Sequence, residues 1–386
     1  MILTLLTFVF VLAVLVLAHE LGHFIAARKN GIKVEEFGFG FPPRIFGVRR
    51  LNGKWQFIWG SGENEDGGNT IYSLNWIPLG GFVRIKGEEG SFAEDVDSFA
   101  NKKVWRRFVV LAAGVFMNII LAGVLLGVGY MIGLPQSLDQ VGYGAKIKDA
   151  KIEIMSVLDK SPAGTAGLQD GDSILTVDGR ELLKVSELQN YFNAQENKKV
   201  ILQIKRGDVI LNKEVTPQLL KETNRGGIGV SLLESASVSY PWYLAIYQGF
   251  VAAFIFTWEV IKAFALLIWN LVRGAGGVGE NLSGPVGIAV LTGKVAKLGI
   301  THLLQFMAML SVNLAVLNFL PFPALDGGRI FFLLVEKLRG KPVAKKVENA
   351  FHTAGFALLM LLVLFVTIKD VGRFKDSFIR LWEKIF

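Results

Sequence analysis

The sequence predicts a polytopic α-helical membrane protein of about four transmembrane helices, with a membrane-associated β region after the first and one α+β domain after the second. Three observations lead to this class. Of 386 residues, 52% are hydrophobic and 29 are Phe, and a mean hydropathy of +0.44 exceeds what an ordinary globular chain of this length carries. Four apolar runs, 1–27, 108–134, 303–325 and 350–368, have the length of a membrane-crossing helix. Arg and Lys gather at the ends of those runs, the pattern that sets membrane topology. The net charge of +8 therefore reads as topology rather than a nucleic-acid surface, which would set its basic residues on one face among aromatics.

The first run carries His19-Glu20-Leu21-Gly22-His23. On a helix of 3.6 residues per turn, His19 and His23 stack one turn apart and can present two imidazole nitrogens to one metal, with Glu20 placed to take a proton from a water there. Residues 9–17 are all apolar, and polar groups in such a helix cost several kcal/mol unless a partner such as a metal compensates. With no Cys, disulfides and thiolate sites are excluded, so a metal is held by His and carboxylate, for which Zn2+ fits best. No Lys or Arg precedes the run, which argues against a cleavable signal peptide. Arg28, Lys29 and Lys33, then Arg44, Arg49, Arg50 and Lys54, mark the following side as cytoplasmic and set the N-terminus outside.

Residues 34–90 turn to Gly, Pro, aromatics and short alternating runs, such as Lys54-Trp55-Gln56-Phe57-Ile58-Trp59, with a polar hairpin tip at 62–69. This is a small cytoplasmic sheet on the membrane, or an edge strand at Gly80-Gly81-Phe82-Val83-Arg84-Ile85 to which an unwound substrate adds as a further strand. Lys102, Lys103, Arg106 and Arg107 precede the second span, 108–134, which runs outward. Its one strongly polar residue, Asn118, reads as a hydrogen bond to a neighbouring helix.

Residues 145–217 are soluble in character: strands at 152–157, 173–177 and 200–205, an amphipathic helix around 185–192, and turns at Asp178-Gly179 and Arg206-Gly207-Asp208. Ser161-Pro162-Ala163-Gly164-Thr165-Ala166-Gly167-Leu168-Gln169-Asp170-Gly171-Asp172 resembles the corresponding stretch of bacterial protease PDZ domains, which either capture peptides by strand addition or gate access by size. Residues 242–272 are apolar but carry Glu259 and Lys262. Parity makes this an interfacial helix: the first and third long spans must both run inward if their polar residues share one depth. A Gly-rich linker, 274–287, with Ser283-Gly284-Pro285, follows.

The third long span, 303–325, ends in Asn313-Leu314-Ala315-Val316-Leu317-Asn318-Phe319-Leu320-Pro321-Phe322-Pro323-Ala324-Leu325-Asp326-Gly327-Gly328. Two Pro and a Gly pair break the helix and free backbone groups that lipid cannot satisfy. Asp326 gives a third ligand beside His19 and His23, leaving one position for water. Asn313 and Asn318 can hold substrate backbone or an oxyanion. Glu259, Glu280 and Glu336 are weaker rivals for the third ligand, and His302 and His352 read as interfacial or structural. A metzincin site is excluded, because Ala26 stands where that motif needs Gly and no third His follows in register.

His19-Glu20-Leu21-Gly22-His23 together with Asn318-Phe319-Leu320-Pro321-Phe322-Pro323-Ala324-Leu325-Asp326-Gly327 resembles the motif pair of the site-2 protease family of intramembrane zinc metalloproteases. The single PDZ domain, Phe37-Gly38-Phe39-Gly40-Phe41-Pro42-Pro43 and Ile77-Pro78-Leu79-Gly80-Gly81-Phe82-Val83 are similar to its bacterial regulator-of-sigma-E protease subgroup. The resemblance implies cleavage of single-span membrane proteins, such as anti-sigma factors already trimmed by an upstream site-1 protease, or remnant signal peptides. It also implies a multi-pass protein of the bacterial inner membrane with the PDZ domain outside the cytoplasm. Some members carry two PDZ domains, which bears on exclusion of untrimmed substrates by size. A silent membrane receptor that binds peptides through its PDZ domain is the alternative, and the intact Glu20 argues against it.

Overall fold

A computed structural model describes residues 2–60, 69–88, 90, 92–138, 141–158, 161–182, 184–207, 209–220, 225–274 and 284–373. Hairpin-tip residues 62–68, Asp208, Glu280 and Ser283 lie outside the described residues. In chain order, α1 (Ile2–Lys29), β1 (Val34–Leu51), β2 (Lys54–Trp59), β3 (Ile71–Ile85) and α2 (Val104–Ile132) come first. There follow β4 (Leu134–Gln136), β5 (Lys146–Val157), α3 (Pro162–Thr165), β6 (Ser173–Val177), α4 (Val185–Ala194), β7 (Val200–Arg206), β8 (Val209–Val215), β9 (Gln218–Leu220), β10 (Arg225–Gly227) and β11 (Val230–Ser239). The chain closes with α5 (Trp242–Val272), α6 (Pro285–Leu298), α7 (Ile300–Phe319), α8 (Asp326–Arg339) and α9 (Lys345–Arg373). These form two compact units, one from Met1–Val128 with Ile246–Phe386 and the other Gly129–Ala245.

In the first unit, α1 is helical because its apolar run has neither Gly nor Pro before Gly22, and it stops at Gly31. Gly31 is left-handed (φ +67), Ile32 N–H reaches back to Ala27 O (2.9 Å) and Gly31 N–H to Arg28 O (3.1 Å), the Schellman pair that satisfies orphan carbonyls. Helix α2 returns antiparallel to α1: Phe24 and Ala27 meet Val110 and Leu111 at one end, while Val11 and Leu15 meet Leu121 and Leu125 at the other. Helix α7 runs parallel to α1, with Met307 against Val11 and Leu15. Gly293 of α6 packs on Thr4, near the start of α1, and Gly287 N–H donates to Asp370 of α9 (2.7 Å).

Among the described residues, five helices are long and apolar enough to cross a membrane: α1, α2, α5, α7 and α9. Helix α5, expected from parity to lie at the interface, therefore meets the length and composition of a span.

The β region is one sheet in the order β2-β1-β3. β1 bends at Pro42-Pro43 and β3 near 77–80, so each lends two segments, and Gly38 pairs with both Phe82 and Ser73. Inside the sheet, Arg44 donates to both oxygens of the buried Glu36 carboxylate (2.9 and 2.7 Å). Burial pushes that carboxyl up, but the bonds from Arg44 and Ser73 outweigh it and hold it below the usual range. The segment 81–85 pairs with β1 on one side, and its other edge has no strand partner among the described residues.

The second unit is a six-stranded sheet, β4-β11-β5-β6-β7-β8, with α4 beside it, and is the α+β PDZ domain. Ile152, Ile154, Ile174, Leu202 and Ile204 alternate into a core with Leu188 and Phe192 of α4. Ser161 caps α3, its Oγ accepting Gly164 N–H (3.1 Å), with Pro162 in the first helical position. The sheet takes in more chain than the expected 145–217, because β4 and β11 complete it from either side.

Candidate metal centre

His19 and His23 sit one turn apart on α1 and turn toward α2, and two residues without side chains, Gly22 of α1 and Gly114 of α2, make room for them. A Cβ on Gly22 would stand 2.3 Å from Ala113 O, so only Gly lets α1 close on α2 at this turn. A Cβ on Gly114 would stand 2.4 Å from His23 Nε2 and 2.7 Å from His19 Cε1, so Gly114 is the floor on which both rings rest. The rings meet edge to face at 4.7 Å. His23 Nδ1 lies 2.8 Å from Val110 O, which leaves Nε2 as its lone-pair nitrogen.

Asp326 arrives from the far end of the chain, at the first residue of α8. Helix α7 stops at Phe319 ahead of Pro321, and Ala324 takes a left-handed turn (φ +72) with its N–H bonded to His352 Nδ1 (3.0 Å). Gly327 lets α8 fold back on the break, since a Cβ there would stand 2.0 Å from Leu320 O. Asp326 Oδ2 thereby lies 3.0 Å from His19 Nε2 and 3.3 Å from His23 Nε2, and the two Nε2 atoms are 3.1 Å apart.

These residues fit a zinc ion. Four ligands bound tetrahedrally at about 2.0–2.1 Å stand about 3.3 Å from one another, close to the three separations here, and two imidazoles with one carboxylate leave a vertex open. The two histidines are buried and the Asp326 side chain is 19% exposed, so the cluster opens on its carboxylate side. It is the one His and carboxylate group with metal-holding geometry among the described residues. Of the rivals, Glu336 pairs with Arg107 and Glu259 with Lys262, both away from the cluster.

Glu20 is half-buried beside the cluster, and the unpaired edge of β3 comes to its carboxylate at the Val83 backbone. Gly80 (φ +111) and Gly81 lie against Val16 and Leu17 of α1, and Phe82 covers Gly38. A Cβ on Gly80 would stand 2.7 Å from that of Val16 and push the strand off the helix. Asn318 Nδ2 is 3.3 Å from His19 Nε2. Asn313 does not join it: five residues of helix turn it about 140° away, and no hydrogen bond links it to the cluster among the described residues. Sequence reasoning missed Val110 and Gly114, though the small and polar spacing Gly114-Asn118 on an otherwise apolar span was a usable signal.

The chain matches Peptidase family M50 over residues 7–60 and 63–362, nearly its whole length. The chain belongs to that family. A Clostridium perfringens protein named as a zinc metalloprotease is 38% identical over 357 residues, covering 92% of this chain and 95% of that one. The regulator of sigma-W protease RasP of Bacillus subtilis is 29% identical over 455 aligned residues, covering 96% of this chain and 98% of that one. Among solved structures, the PDZ domain of an SdrC-like protein from Listeria monocytogenes is 26% identical, covering 22% of this chain and 92% of that one at a TM-score of 0.21. The protein is thus a multi-pass zinc metalloprotease of the site-2 type, and zinc is its cofactor.

Proposed function

We propose that this metalloprotease hydrolyses peptide bonds inside the transmembrane segments of single-span membrane proteins. The observation that carries the reading is depth. His19 stands ten residues, about 15 Å, before the Lys29 end of α1, inside the apolar length of a span, the level at which a substrate's own transmembrane segment lies. His19, His23 and Asp326 would hold the zinc, which when bound would supply Lewis-acid chemistry to polarise a carbonyl and bring the acidity of a water near neutral pH. Glu20 accepts the proton of the attacking water and passes it to the departing amine. Asn318 donates its Nδ2–H to substrate backbone or to the oxygen that gains charge. The open edge at Gly80-Gly81-Phe82 pairs with the unwound substrate, because a peptide bond within an intact helix has its carbonyl occupied and its backbone shielded.

The layout that goes with this reading is four crossings in a bacterial inner membrane, α1 and α7 inward, α2 and α9 outward, with the PDZ domain outside. The parallel α1 and α7 support it, and so does α6, which touches the Thr4 end of α1 and the Asp370 end of α9. Were α5 to cross inward, the linker and the 14 residues of α6 would have to return across the bilayer. The first substrate class proposed is anti-sigma factors already cut outside by a site-1 protease, in keeping with a relative named as a regulator of sigma-W protease; remnant signal peptides are the second class.

The test is cleavage of a single-span substrate by purified protein in lipid, wild type against Glu20→Gln, with zinc content measured on both. Loss of cleavage with zinc kept fits the reading, whereas full cleavage by the variant removes Glu20 as base, and no cleavage by the wild type with PDZ peptide binding intact favours the receptor. Topology is tested with single cysteines in this Cys-free chain at the exposed Lys198 and Lys341. An impermeant reagent applied outside should label only position 198.

A further inference from the structure

A neutral imidazole has one N–H and one lone pair, so a histidine that gives Nε2 to a metal carries its proton on Nδ1 and needs an acceptor there. His23 has one in the Val110 carbonyl, 2.8 Å from its Nδ1. His19 lies one turn earlier, and its Nδ1 faces the side chain about two turns further along α2, that of Asn118, at 3.4 Å. Asn118 is fully buried inside a span, where an unpaired polar group is costly. Its Nδ2 faces His19 Nδ1 while its Oδ1 has no hydrogen-bond partner among the described residues. A half-turn of the carboxamide about Cβ–Cγ turns this donor–donor contact into a hydrogen bond, with Oδ1 accepting the Nδ1 proton.

We propose that Asn118 is a positioning residue for zinc, accepting the Nδ1 proton of His19 so that its Nε2 lone pair is directed at the metal. Val110, Gly114 and Asn118 then form one stripe of α2, four residues apart, that supplies an acceptor, a space and an acceptor to two ligands of α1. Ser311 of α7 clamps the same turn, its Oγ donating to the Asn118 backbone carbonyl (2.8 Å). The inference rests on the reading of His19 as a ligand.

The experiment is zinc titration of the full-length apoprotein in detergent against a competing chelator, for wild type, Asn118→Leu, Asn118→Asp and His19→Ala. Loss of an acceptor behind a ligating histidine lowers metal affinity about 10- to 100-fold. That loss is expected for Asn118→Leu, with near wild-type affinity for Asn118→Asp, which keeps the acceptor. The chain has four histidines, so nitrogen-labelled histidine NMR can follow the His19 tautomer directly, and Asn118→Leu should lose the fixed Nδ1–H form. A residue that merely ties α2 to its neighbours would lower the apoprotein melting temperature and leave affinity and tautomer alone. Wild-type affinity in Asn118→Leu, or equal loss in Asn118→Asp, overturns the inference. Should Asn118→Leu fail to fold, Asn118→Asp and the wild-type tautomer decide it. If His19→Ala binds zinc as wild type does, the ligand reading itself fails; if it loses zinc while Asn118→Leu keeps it, only the role of Asn118 does.

Discussion

The PDZ domain and the helical unit bury polar groups for opposite reasons. In the PDZ domain Ile152, Ile154, Leu188, Leu202 and Ile204 leave water completely or nearly so, and each such side chain contributes about 1.5–3 kcal/mol relative to exposure. Its buried Asp172 staples strand ends. Among the spans, lipid is as apolar as Leu, so burying Leu there gains little, and association rests on close backbone packing and polar contacts. Gly22, Gly114, Asn118 and Ser311 do that work, and they are the same residues that shape the cluster of His19, His23 and Asp326. In one region stability and chemistry are separate; in the other they share side chains.

The largest effects should therefore fall on the helical unit and read out as zinc or turnover rather than unfolding. Glu20→Gln is expected to lower cleavage about 10²- to 10⁴-fold with zinc retained, as for the loss of a general base. Asp326→Asn should lower zinc content and cleavage together. A variant at 326 that holds zinc tightly and loses turnover alone would remove Asp326 from the ligand set. Next in size is Asn318→Ala, for which loss of one preorganised donor lowers turnover about 10²- to 10³-fold with zinc kept. Zinc loss in that variant would mean that its contact with His19 serves the metal instead.

In the PDZ domain, Leu202→Ala should destabilise by about 2–5 kcal/mol, the range for a truncated core leucine, with zinc content unchanged. Hydrogen exchange on the full-length protein is the measurement, with faster exchange expected through β7 and its neighbours and none in α1. Zinc loss on truncating Leu202 would break the comparison, because it would show the two regions to be coupled.

The same contrast explains what was legible in the sequence. His19, Glu20, His23 and Asp326 stood out because they are polar in apolar runs, and strands β5, β6 and β7 because their side chains alternate. β11 was not legible: Val230-Ser231-Leu232-Leu233-Glu234-Ser235-Ala236 lacks a clean period of two, and its partners β4 and β5 lie far back in the chain. Of helix α6, the linker read over 274–287 takes in only the first turn and the rest had no reading, yet Gly287 and Gly293 mark close packing on α9 and Thr4. Asn118 was visible as polar but its partner was not, since a helix apolar on every side does not reveal which face meets which neighbour.

The smallest expected effect is electrostatic and confined to the PDZ domain. The Asp172 side chain, 1% exposed, accepts Arg206 Nε and Nη2 at 2.7 and 2.8 Å and the Gln169 N–H at 2.9 Å, while Arg206 also donates to Gly167 O at 2.9 Å. Burial pushes the carboxyl up, and the bonds from Arg206 and Gln169 outweigh it, so Asp172 is held below the usual range. A carboxyl whose value is lower folded than unfolded contributes stability that is complete above the unfolded value, about 3.9, and drains away as pH falls through the lower folded one. Hydrogen exchange in β6 and β7 should therefore be insensitive to Asp172 ionisation near neutrality and lose protection only below about pH 4. Asp172→Asn should start from lower protection at pH 7 and lack that acid-side loss. If wild type and Asp172→Asn lost protection in parallel below pH 4, other carboxylates would govern the acid response and the Asp172–Arg206 staple would be electrostatically silent.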